Sequence, residues 1–286
     1  MEGALVTEPD APAASVGVLH IVSTPIGNLG DLSGRAVEVL RGAAVILAED
    51  TRHSRVLCDR FDIRTAMQAY HEHNEASATP RLIARLLAGE SVALISDAGT
   101  PLLSDPGAWL VRAAIAAGVR VSPVPGASAL LAALVGAGLA AGRFTFYGFV
   151  ARKGAERTQT LAAIVALPHT AVLYEAPGRT AETLRALGTA GASERQAVVA
   201  RELTKQFEEF RRGTVDALAT YHEETEPRGE VVIIVAGAAP ASPDEATLRA
   251  RVGALRADGL SARDVMRVLM DTAHAPRNLA YRLAHE

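Results

Sequence analysis

Between Leu94 and Gly107 the chain reads LISDAGTPLLSDPG. The apolar run Ser91 to Ile95 stops, and Asp97, Ala98, Gly99, Thr100, Pro101, Ser104 and Asp105 follow before a helical pattern resumes at Ala108. A strand-to-helix connection needs only about two to six residues. This longer one carries the groups that meet ligands. It has carboxylates and hydroxyls, glycine that admits a ligand to the backbone, and proline that stiffens the path. Three other apolar runs end in comparable loops: TPIGNLGD after Val22, EDTRHS after Ala48 and PVPGAS after Val121. In open parallel sheets the carboxyl ends of the strands share one edge, and ligands bind there. The four loops are therefore expected to line one crevice.

Common ligand signatures are missing from that crevice. There is no G-x-G-x-x-G, no G-x-x-x-x-G-K-[ST], no G-x-S-x-G and no H-E-x-x-H, which argues against a conventional dinucleotide fold, a P-loop and a hydrolase elbow. His71-Glu72-His73 lacks a third ligand at recognised spacing and reads as a polar loop.

The elements that must position these loops alternate between strand and helix. Strands are expected at 18–22, 44–48, 92–95 and 119–121, and helices from Ser33, over 80–88, 108–117 and 128–137. That alternation implies an α/β unit with a largely parallel sheet. A second α/β half follows, with strands at 144–149, 171–175, 197–200 and 230–235 and an extended stretch in RELTKQFEEFRRG. The expected division is a disordered tail over 1–16, α/β domains over 17–140 and 141–238, and a linker with a helical tail over 239–286.

Composition narrows the class. Of 286 residues 49% are hydrophobic, and the net charge of -3 gives no global basic signature for nucleic acid. Any such contact must be local. Lys153 and Lys205 are the only lysines, and one cysteine, Cys58, excludes an internal disulfide framework. No signal peptide and no membrane-length apolar run is evident, so a cytoplasmic protein without membrane contact is expected.

In order, STPIGNLGDLS, AEDTRHS, ISDAGTPLLSDPG, VPGASA, FYGF with Arg152-Lys153, YEAPGR, RELTKQFEE and RGEVVIIV closely resemble the bacterial ribosomal RNA small-subunit methyltransferase I family. That family sits in the tetrapyrrole-methylase superfamily of S-adenosylmethionine enzymes. The resemblance runs from about residue 17 to 237. It implies two α/β domains with the cofactor between them, a homodimer, and methylation of a cytidine ribose 2′-hydroxyl in the decoding region of 16S ribosomal RNA, with no role for DNA. It also implies cofactor contacts from Pro25, Asp97, Ala98, Gly99, Thr100, Ser104 and Ser128, and from Tyr174, Glu175, Ala176, Ala200, Arg201, Glu202, Gly229 and Glu230.

Methyl transfer to a hydroxyl requires loss of its proton, with a base or water to receive it. Asp31 and Asp105 lead the candidates, ahead of Asp50 and His53. A helix cap is the plain alternative for Asp31. RNA phosphates are expected at Arg52, Arg55, Arg152 and Lys153, with Arg157, Arg179, Arg211 and Arg212 as further cations. Most tail arginines read as a solvated face. Tyr147 or Phe149 could stack on a nucleotide. A small-molecule tetrapyrrole-type methyltransferase and a non-enzymatic ribosome-assembly module stay open as alternatives.

Overall fold

A computed structural model describes residues 16–239, 244–273 and 275–286. The expected N-terminal tail, apart from Val16, and linker residues 240–243 lie outside the described residues.

The first half contains β1 (Val18–Val22), α1 (Gly34–Gly42), β2 (Val45–Ala48), α2 (Thr51–Arg60), β3 (Met67–Ala69), α3 (Glu75–Leu87), β4 (Val92–Ile95), α4 (Ala108–Ala116), β5 (Arg120–Val124) and α5 (Ala129–Ala137). Its strands pair in the order β3-β2-β4-β1-β5, every pair parallel. β2 and β4 are buried along their whole length, which is why they read as continuous apolar runs rather than alternating ones. Helices cover both faces over two separate cores.

Four expectations need correction. β3 lies outside the expected strands, and the EDTRHS segment expected as a loop becomes α2 from Thr51. β5 runs on to Val124 rather than ending at residue 121, and α3 begins at Glu75 rather than at residue 80. Pro80 looks like a helix start but lies inside α3. The turns before it are pinned from below, because the buried Tyr70 hydroxyl and Thr79 Oγ1 are hydrogen-bonded at 3.1 Å.

The second half contains β6 (Phe144–Phe149), α6 (Ala155–Ala166), β7 (Thr170–Glu175), α7 (Thr180–Leu187), β8 (Gln196–Arg201), β9 (Glu209–Thr214), α8 (Val215–Glu224) and β10 (Val231–Val235). Its sheet has the order β6-β7-β10-β8-β9. Only β6 and β7 run parallel within it. One face packs on α6, α7 and α8. The other packs on α5, whose Leu130, Ala133, Leu134 and Ala137 meet Val172, Val198, Val232 and Ile234. α5 thus belongs to the first half by sequence and to the second by packing, and it joins the two. Gly136 permits this, because a Cβ there would overlap the Phe210 ring. Finally α9 (Glu245–Ala257), α10 (Ala262–Ala273) and α11 (Arg277–His285) bury a small core of their own around Leu248, Val265, Leu269 and Leu283.

Candidate active site

The four loops at the carboxyl edge of the first sheet are tied together. Thr24 N–H donates to the Gly99 carbonyl at 2.8 Å and Gly99 N–H returns a bond at 3.1 Å. Thr100 Oγ1 donates to the Ala127 carbonyl at 3.1 Å. Asp50 N–H donates to Asp97 Oδ1 at 3.1 Å. Gly99, Leu102, Ser104 and Gly107 all have positive φ, at 80°, 74°, 71° and 126°. Positive φ at Leu102 and Ser104 costs energy and clusters at functional sites. That geometry explains the loop's length. The chain reverses repeatedly and carries Ser104 against Gly148 of β6, where a Cβ would crowd Ser104 Oγ at 3.1 Å.

A cleft of about 450 Å³ opens between the halves. Of the residues expected on its wall, Asp97, Ala98, Gly99, Thr100, Ser104, Asp105, Ser128, Tyr174, Glu175, Ala176, Gly229 and Glu230 are there. Tyr174 is half-buried, its hydroxyl accepts from Leu130 N–H at 3.2 Å, and burial raises its phenol. Ser128 caps α5, its Oγ accepting from Leu131 N–H at 3.4 Å. Glu175 lines the cleft with a spent carboxylate, which takes Ala176 N–H at 2.9 Å, Thr183 Oγ1 at 2.6 Å and Arg179 at 3.4 Å.

Four expected cofactor residues sit elsewhere. Pro25 is buried in the wall of a neighbouring cavity, and Ile26 takes the place on the cleft. Ala200 is fully buried in the core beneath α5. Arg201 is bound to Glu209 at 2.8 Å. Glu202 packs over Gly229, where any Cβ would overlap its carboxylate, and accepts from Lys205 Nζ at 2.9 Å. It therefore supports the rim from behind.

The sequence reading missed Glu49, Leu203, Val231 and Val232, which also line the cleft. Glu49 directly follows β2, so the strand-end rule could have found it.

The proton-accepting candidates separate clearly. Asp105 is on the wall, and burial first, then the charges of Glu49 and Asp97, push its carboxyl up to about 6. Asp31 is exposed outside the cleft, and Ser33 rather than Asp31 caps α1. Asp50 caps α2, and the Arg52 side chain and backbone N–H hold it down at about 2. His53 lines the neighbouring cavity.

The cations also divide. Arg52, Arg55, Arg152 and Lys153 are exposed, and of these Arg52 is paired with Asp50 at 3.1 Å. Arg157 and Arg179 are not surface cations. Arg157 is buried, donating to the Ala151 carbonyl at 3.2 Å and to Glu182 at 3.1 Å. Arg179 donates to the Val150 carbonyl at 3.0 Å. Together they hold the loop that presents Arg152 and Lys153. Arg211 lies over the Tyr221 ring at 3.7 Å, and Arg212 donates to the Ala137 carbonyl at 3.0 Å. In the tail, Arg249, Arg267 and Arg282 pair with nearby carboxylates. Phe149 is 59% exposed and lines the cleft beside Tyr174, with ring centroids 5.6 Å apart. Tyr147 packs on the core instead. Among the described residues no cluster of His, Cys, Asp and Glu could hold a metal ion, and no helix is long and apolar enough to cross a membrane.

The sequence profile of the Tetrapyrrole (Corrin/Porphyrin) Methylases matches residues 18–219. The chain is 50% identical over 267 residues to "Ribosomal RNA small subunit methyltransferase I" of Xylella fastidiosa, covering 93% of this chain and 98% of the relative. The chain belongs to the ribosomal RNA small subunit methyltransferase I family of tetrapyrrole methylases. A member from Synechocystis is 45% identical over 274 residues, covering 95% of this chain and 98% of the relative. Among solved structures, cobalt precorrin-4 methyltransferase aligns with a TM-score of 0.59 at 18% identity, over 79% of this chain and 98% of that one. Uroporphyrin-III C-methyltransferase from Thermus thermophilus, complexed with S-adenyl homocysteine, aligns with a TM-score of 0.56 at 21% identity, over 77% of this chain and 97% of that one. These two share the family's fold.

Proposed function

We propose that the protein transfers a methyl group from S-adenosylmethionine to a cytidine ribose 2′-hydroxyl of 16S ribosomal RNA in the small subunit, acting as a homodimer. The relatives' shared name supports the RNA class, and the resemblance in the loop motifs supports the ribose target.

The observation that carries the reading is the charge of the cleft. Five carboxylates line it, and among the described residues no arginine, lysine or histidine does. Glu175 is paired with Arg179 at 3.4 Å and Glu230 with Lys205 at 2.9 Å, which leaves Glu49, Asp97 and Asp105 without a cation partner among the described residues. Such a wall suits a ligand carrying a sulfonium and an ammonium, and it disfavours a polyanion. Ile26, Leu203, Val231 and Val232 add the apolar surface an adenine needs. The residues therefore fit the cofactor.

S-adenosylmethionine would supply the electrophilic methyl group. All other work falls to the chain. Asp97, Ala98, Gly99 and Thr100 present backbone groups and one carboxylate to the ligand, held by the bonds to Thr24, Asp50 and Ala127. Orientation of this kind contributes several kcal/mol to a two-reactant step. Asp105 accepts the ribose proton. Its raised carboxyl is basic enough to help and still ionised at neutral pH, the compromise expected of a general base. Phosphates stay outside the acidic cleft, on Arg52, Arg55, Arg152 and Lys153, while the nucleoside enters past Phe149.

The test is methyl transfer to isolated small subunits compared with a porphyrinogen substrate. Methylation of RNA alone is expected, and methylation of the porphyrinogen alone would transfer the reading to small-molecule chemistry.

A further inference from the structure

Beside the cofactor cleft lies a second cavity of about 310 Å³. That is the lower end of the range of roughly 300–1,000 Å³ for small-ligand pockets. Ile26, Asp97, Ala98 and Glu230 border both spaces, so an occupant of one lies next to an occupant of the other. Its wall has two kinds of chemistry. Pro25, Leu29 and Val56 are apolar, whereas His53, Ser54 and Lys205 carry polar groups. Ser54 is 3% exposed, and its Oγ makes no hydrogen bond within the protein. Buried hydroxyls are nearly always paired, so this one is an unsatisfied group directly behind the cavity wall. Lys205 is held at the rim by Glu202 and Glu230, each at 2.9 Å.

The surroundings indicate the ligand class. His53, Ser54 and Val56 belong to α2, and the same helix presents Arg52 and Arg55 to solvent. Of the five carboxylates on the neighbouring cleft only Asp97 and Glu230 also border this cavity, and Glu230 is paired with Lys205 at 2.9 Å, so a phosphodiester chain is disfavoured in the cleft and favoured along α2. A flat, partly apolar group with hydrogen-bonding edges, attached to such a chain, is a nucleobase. Single-stranded RNA is read through bases turned out of the stack into pockets of this kind.

Resting on the RNA reading above, we propose that this second cavity receives an unstacked nucleobase of the substrate RNA, with His53, Ser54 and Lys205 at its polar edge and Leu29 and Val56 against its face. The backbone of that nucleotide runs past Arg52 and Arg55, and the cavity sets which base is held while an adjoining ribose faces Asp105.

Val56 is 67% exposed, so Val56→Trp fills the cavity mouth without entering the core. Methyl transfer to small subunits and calorimetric binding of S-adenosylmethionine are measured for the wild type and the variant. The expected result is a KM for the RNA raised about tenfold or more, as loss of a stacked base implies, with unchanged cofactor affinity. An RNA KM within about twofold of wild type would overturn the cavity assignment and leave the methyltransferase reading intact. A wild type that methylates no RNA would overturn both. If Val56→Trp also loses cofactor binding, Leu29→Trp, from another part of the wall, decides by the same criteria.

Discussion

Asp105 stands on the same cleft wall as Glu49, and the Glu49 charge adds to burial in raising its carboxyl to about 6. The two arrive there from different strands, Glu49 after β2 and Asp105 ten residues beyond β4. They meet because β2 and β4 are parallel neighbours. An acid held at this value is ionised only above its transition. The kcat/KM for RNA should therefore rise with pH through about 6, since that profile reports groups of the free enzyme. Asp105→Asn should lower kcat by about 10²–10⁴-fold and remove that limb of the profile. A full-rate variant with the limb intact would exclude Asp105 as base.

The same group carries a stability consequence. Its folded value lies above the ordinary 3.8, so the native state binds the proton more tightly than the unfolded chain. Stability from this group is complete below about 4 and is lost as pH rises toward 6. Asp105→Asn should therefore melt higher than wild type at pH 7.5 and not at pH 4, by differential scanning calorimetry. Equal melting at both would mean the carboxyl is not held up.

Gly99 has φ of 80°, and a Cβ there would stand 3.2 Å from Ile26 Cγ2 on the cleft wall. Left-handed backbone costs about 1–2 kcal/mol for an ordinary residue and more for a branched one. Gly99→Val should weaken S-adenosylmethionine binding by tenfold or more while the chain stays folded. Calorimetric titration beside circular dichroism reads both.

Two neighbouring groups of cations should respond oppositely. Arg157→Ala removes the donor to the buried Thr183 hydroxyl and one of two donors to the Ala151 carbonyl, which keeps Arg179 at 3.3 Å, at a cost of about 1–3 kcal/mol in stability. Denaturant titration measures it.

Arg152→Glu with Lys153→Glu touches exposed groups. It should leave melting and cofactor affinity unchanged and weaken RNA binding, with a shallower dependence on salt. Equal loss of cofactor affinity would show damage to the fold instead.

Much of this site was legible because its signals are local. Special residues gathered after Val22, Ala48, Ile95 and Val124 could only share one edge if the strands were parallel. What stayed hidden depends on partners far away in sequence. β3 is a three-residue edge strand, too short to show a period. Pro80 disguised the start of α3 because nothing nearby signals the Tyr70–Thr79 bond. Arg157 and Arg179 look like surface cations until their carbonyl partners on the 150–151 loop are known. Ile26, which borders both cavities, takes the cleft position expected of Pro25, a one-residue shift that only the docking of the 25–28 loop on Leu203 and Lys205 decides.

The most direct measurement uses S-adenosylmethionine labelled in its methyl group, incubated with wild-type protein and small ribosomal subunits from cells lacking the enzyme. The RNA is then digested and the label mapped. The expected result is one labelled nucleoside, a 2′-O-methylcytidine of 16S RNA. Label on a base, or none in RNA from a protein that binds the cofactor, would contradict the proposed function.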